Sequence, residues 1–197
     1  MRVALGLKAH SGWAALVCVG TDRDGIQIVD RRRIELVEHD AMWAKQPYHA
    51  AENLEAEAGR DIVKRGTESA HRIALRRMQE IVAQSRASKH DIAACAVLRP
   101  EPMPDWTTAQ ILAVHFRMHK AEGVLFPDAL CRAAAVCNLA LVEIPEKEID
   151  AVAEKKLGLS IGRVMQRVAV LGKSVGAPWG KDQKVATVAA LIALGNL

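Results

Sequence analysis

The sequence predicts an α/β protein built on a five-stranded mixed sheet with helices on both faces. Two observations carry this. Three short apolar runs joined by turn residues open the chain, and two further apolar runs follow, each after a segment of helical period. The order of elements is β-β-β-α-β-α-β-α, with extra helices late. A meander followed by two strand–helix–strand crossovers builds such a sheet.

The elements follow in order. Val3 to Leu7 reads as a buried strand and Trp13 to Val19 as a second. The Gly/Asp-rich turn Gly20 to Gly25 leads to a third strand, Ile26 to Val37, in which apolar and polar residues alternate. Glu38 to about Gly59 lacks a period and reads as a long loop, with one helical turn after Pro47. Asp61 to Ser85 is a helix that places Ile62, Ala70, Ile73, Ala74, Met78, Ile81 and Val82 on one face. Ile92 to Leu98 is a central strand. Three prolines between Arg99 and Asp105 end it, because they remove donors and fix the backbone.

Thr107 or Thr108 caps a predicted helix to about Lys120. Pro127 then opens another, to about Asn138. Leu139 to Ile144 is the fifth strand, ended by Pro145. Glu146 to Lys156, Ser160 to Leu171 and Lys181 to Leu194 are the last helices. The Ala-rich helices at 129–135 and 185–194 suit either the core or a second copy of the chain.

The totals bound the function. A chain of 197 residues is long enough for one sizeable core, and no linker divides residues 1–197, so one domain is expected. The formal charge of +4 permits contact with a polyanion without demanding it. Cys18, Cys95, Cys131 and Cys137 sit in apolar runs with no CxxC pair, which reads as buried thiols in a reduced compartment. No secretory pattern precedes the first strand, and no apolar run has the length of a membrane span, so a cytoplasmic location is expected.

Three segments carry a family likeness. The run Leu5-Gly6-Leu7-Lys8-Ala9-His10-Ser11-Gly12-Trp13 resembles a first strand and turn of the kind GIDPGxxxxG. The run from Lys120 to Val124, the alanines after it, and Leu141 to Ile149 resemble a long helix followed by a fifth strand that ends at a proline. Lys181-Asp182-Gln183-Lys184-Val185-Ala186 resembles a carboxylate-bearing last helix. In this order they resemble the RuvC-type Holliday-junction resolvases and other ribonuclease H-like nucleases. That resemblance implies a ribonuclease H-like fold, a site of converging carboxylates that holds two divalent ions, a nucleic-acid substrate and a homodimer.

The departures bear on activity. Lys8 stands where the family's first strand ends in Asp, and an ammonium there repels a metal. Leu98 or Arg99 stands at the second carboxylate position, and Glu101 substitutes only if the proline-rich loop turns it inward. Asp182 matches one carboxylate of the last helix, but Val185 and Ala186 stand where another is expected.

The candidate catalytic residues are therefore Asp182 and Glu101. The candidate anion-binding residues are Lys8, His10, Ser11 and Lys181. His115, His119 and Glu122 share helical spacing and outline a two-His-one-carboxylate cluster, which a polar helix face also explains; the candidate metal ligands are Glu122 from this spacing and Asp182 as the resemblance implies. Arg31, Arg32 and Arg33 read as the charged edge of the sheet.

Three functions are compatible with these residues. The leading one is a catalytically degenerate domain that binds nucleic acid or a protein partner, with no cofactor required. The second is a divergent nuclease using magnesium or manganese. The third is a phosphate-binding member of the wider fold.

Overall fold

The computed structural model describes residues 1–195. β1 (Arg2–His10), β2 (Trp13–Asp22) and β3 (Gly25–Glu35) form the antiparallel meander. β4 (Asp91–Arg99) pairs parallel to β1, and β5 (Leu141–Pro145) pairs parallel to β4. The strand order is β3-β2-β1-β4-β5, the mixed five-stranded sheet that the sequence predicts. β1 therefore lies at its centre.

Alternation along the strands sorts side chains between two cores. Val3, Leu5, Leu7 and Ala9 of β1, with Cys95 and Val97 of β4, face one layer. That layer is α2 (Ala56–Ala87) and α4 (His115–Val136). Ala4 of β1, with Ala96 and Leu98 of β4, faces the other. There lie α5 (Ile149–Leu157), α6 (Ile161–Val175) and α7 (Lys181–Leu194). Gly6 belongs to this second face. A Cβ at Gly6 would lie 1.9 Å from the Ala186 carbonyl oxygen of α7, so only glycine lets the helix backbone approach β1 so closely. Gly12 turns β1 into β2 at φ +83°, a conformation that favours glycine.

α2 buries Ala70, Ile73, Ala74, Met78, Ile81 and Val82 as its period predicts, and starts earlier than expected. Its first turns bury Gly59, Val63 and Gly66, whereas Ile62 is only half-buried. Residues 42–50 hold more structure than a loop. A 3-10 turn, Met42–Lys45, precedes the single turn α1 (Pro47–Ala50), which has Pro47 at its start.

The segment around Pro127 departs from expectation. The first helix is only α3 (Thr108–Leu112), capped by Thr107 with Gln110 in a capping box. Val114 is extended, and α4 then runs from His115 straight through Pro127. An internal proline costs about 3 kcal/mol. Burial of Leu125, Phe126 and Leu130 at about 1.5–3 kcal/mol each outweighs that cost. After β5, a 3-10 turn (Glu146–Glu148) precedes α5, and α6 extends beyond Leu171 to Val175. The Ser160 side chain makes no cap; instead the Ile161 N–H donates to Glu154 Oε1 at 2.7 Å.

Most of the small residues of α4 and α7 are spent on this core: Ala129, Ala133, Ala134, Ala186, Ala189 and Ala190 are all buried. Among the described residues, no helix is long and apolar enough to cross a membrane.

Candidate functional site

The carboxyl end of β1 gathers the most polar chemistry on the α7 side of the sheet. Period 2 sets Lys8 and His10 on the same face as Ala4 and Gly6, towards α7. The Lys8 ammonium donates to Glu146, the first residue after β5, in a charge-assisted contact. The Lys8 side chain is 15% exposed, whereas Glu146 keeps 41% of its side chain in contact with water.

His10 Nε2 lies 3.1 Å from Asp182 Oδ1 in the first turn of α7, an ion-pair separation without a well-aligned hydrogen bond. The imidazole stacks on Trp13 at 4.3 Å between ring centroids, and the Arg33 guanidinium sits 4.0 Å over the Trp13 ring. A cation–aromatic ladder thus leads from Asp182 across the first hairpin to the edge strand.

The other candidates lie apart from this cluster. Ser11 is exposed in the β1–β2 turn. Lys181 borders a shallow cavity of about 360 Å³ beside Asp150 and Lys184. Glu101 is exposed and pairs with Lys147 at 2.5 Å. The hydrogen bond from Lys147, and then its charge, hold the Glu101 carboxyl below the usual carboxylate range. Glu122 is buried inside α4. It accepts from the His49 N–H at 3.1 Å, lies 2.7 Å from His49 Nδ1, and accepts from Gln46 at 3.3 Å. It therefore faces His49, not His115 and His119, the histidines of its own helix.

At the end of β4, the residue facing α7 is Leu98, 1% exposed. Arg99 turns the other way, to Glu143 at 3.1 Å and Asp128 at 3.8 Å. A two-ion centre requires several carboxylates on one face at these strand ends. The side chains present are the Lys8 ammonium with the Glu146 carboxylate it neutralises, an imidazole, a leucine and one aspartate beside that imidazole. Among the described residues, Asp182, Glu101 and Glu122 form no cluster of three ligand groups. This donor set does not fit a pair of hard divalent ions.

A cleft of about 1270 Å³ runs from the α1–α4 junction to Glu146. Arg99, Lys120, Arg132 and Lys147 line it among several carboxylates, with Phe116 exposed at its wall.

Sequence reasoning missed Glu146, Trp13 and Arg33 as members of the site. Alternation alone placed Lys8 and His10 together. The β1–β2 register His10↔Trp13 is unbroken, but the β2–β3 register Trp13↔Glu35, which brings Arg33 over Trp13, depends on a bulge at Cys18/Val19 that no spacing reveals.

No family model matches the sequence, and no curated protein matches it. The fold is similar to the structure of RuvC from Thermus thermophilus: TM-score 0.53 and 12% identity, covering 96% of this chain and 92% of that one. It is also similar to T. thermophilus RuvC in complex with a Holliday junction substrate: TM-score 0.51 and 11% identity, covering 98% and 92%. The overlap is nearly full-length on both chains, and this mixed five-stranded sheet with flanking helices is the ribonuclease H-like fold.

Proposed function

We propose that this chain is a nucleic-acid-binding domain of RuvC-like fold that has lost metal-dependent cleavage. The observation that carries this reading is the Lys8–Glu146 pair at the end of the central strand. A half-buried ammonium there supplies positive charge where a two-ion nuclease holds metal, and it pairs with the Glu146 carboxylate. The face retains groups suited to a phosphate backbone and to unstacked bases. Arg33, half-exposed and shared with Glu35, is the cation, and the His10–Trp13 stack beneath it supplies the aromatic rings. With a net charge of only +4, affinity rests on this local arrangement more than on the overall field.

Two measurements on the intact chain test it. Calorimetric titration with manganese and then magnesium near pH 8 is expected to show no binding that depends on Asp182. Affinity for branched, duplex and single-stranded DNA is expected to fall linearly on a log–log plot against salt, and Trp13→Ala is expected to weaken single-strand binding most. Asp182-dependent uptake of two ions would instead support the divergent-nuclease reading, and cleavage assays on junctions would follow. Salt-independent or absent DNA binding would leave a protein partner as the ligand.

A further inference from the structure

We propose that His49, His115 and His119 bind a divalent ion of the zinc class, at a site separate from the β1 end and independent of the nucleic-acid reading. Two elements build it. α1, a single turn, carries His49, and the first two turns of α4 carry His115 and His119 at i, i+4, on one helix face. Among the described residues these three form the one group of potential ligands whose donor atoms all lie within 4.8 Å of one another. The rings surround a common point, with centroid separations of 5.0, 4.6 and 4.7 Å.

The separation of the two α4 imidazoles is telling. His115 Nε2 and His119 Nε2 are 3.1 Å apart. Two ligands of a tetrahedral zinc ion with Zn–N bonds of 2.0–2.1 Å lie about 3.3 Å apart. Two ring nitrogens this close need a proton or a cation between them.

The carboxylates around the rings point the same way. Glu122, 4% exposed, sits 2.7 Å from His49 Nδ1. A proton on Nδ1 shared with that carboxylate leaves Nε2 as a lone-pair donor, the arrangement by which a buried carboxylate orients a ligating histidine. Glu52 lies 3.4 Å from His115 Nδ1 and does the same for the second ring, leaving its Nε2 to face His119. Glu122 is thus the orienting group and not a ligand, which explains why a buried carboxylate is spent on a one-turn helix.

Three imidazoles with no oxygen ligand select zinc, cobalt or nickel over magnesium and calcium. Three protein ligands leave a fourth position for water. His119 also borders the large cleft, so that position is within reach of solvent and of small anions.

The test uses tag-free, full-length protein. Calorimetry with zinc chloride is expected to give one site per chain, and cobalt(II) is expected to give the intense visible bands of a tetrahedral centre. His115→Ala and His119→Ala, both at exposed positions, are expected to abolish stoichiometric binding while the circular dichroism is unchanged. Glu122→Gln should weaken zinc roughly 10–100-fold, as loss of an orienting carboxylate does. His39→Ala, at an exposed histidine elsewhere, should leave binding intact. Wild-type protein that takes up no stoichiometric zinc, or a His115→Ala variant that binds as tightly as wild type, would overturn the proposal. So would a cobalt spectrum of octahedral form.

Discussion

Single side chains decide most of what this molecule can do. Gly6 is the clearest case for stability, because what a side chain would meet there is backbone: the Ala186 carbonyl oxygen at 1.9 Å and the Ala190 nitrogen at 2.8 Å. Helix α7 has to shift to admit even a methyl. Gly6→Ala is expected to cost at least about 1–3 kcal/mol, read as a lower urea midpoint; an unchanged midpoint would mean that α7 is not seated as described. Lys8 and His10, two and four residues on, share that face, so their placement was legible from alternation once β1 was recognised. What they touch was not legible. Glu146 reaches Lys8 from the far side of β4, and His49 reaches Glu122 across 73 residues of sequence. Contacts of that kind come from how layers stack, and no local spacing encodes them.

Elements with a strong period were read well, and those whose form depends on neighbours were not. α7 has the predicted bounds, because a run of apolar and small residues follows a polar first turn. α4 was split at Pro127 because propensity was weighed without the burial that overrides it. The α6–α7 connection depends on a residue read as a solvated edge charge. Arg31 leaves the edge strand to donate to the carbonyls of Val175 at 3.2 Å and Gly176 at 3.0 Å, and to that of Pro178. It thus satisfies the end of α6 and fixes where α7, with Asp182, begins. Arg31→Ala is expected to raise amide exchange across residues 175–182 with only about 1 kcal/mol lost globally. Unchanged exchange in that stretch would show that the connection holds itself.

At the scale of the whole molecule, the buried thiols set the alkaline limit of stability. Burial, and then the charge of Asp30, push the Cys18 thiol from 9.0 up to about 12. Burial likewise pushes Cys131 up to about 12 and raises Cys95. The folded chain keeps these protons while the unfolded chain releases them, so stability is complete below pH 9 and falls as pH rises from there towards 12. Cys18 alone contributes about 1.4 kcal/mol per pH unit in that window. Urea unfolding of Cys18→Ala at pH 8.5, 9.5 and 10.5 is expected to show a slope shallower than wild type by about that amount, and parallel slopes would count against it. The close seating of α7 on Gly6 also has a temporal meaning. β1 leaves the ribosome before the other elements described, and the helix that completes its second face leaves after them. During synthesis the central strand is therefore half-clothed, and the Lys8–His10 end takes its final shape only once the growing chain has reached Asp182.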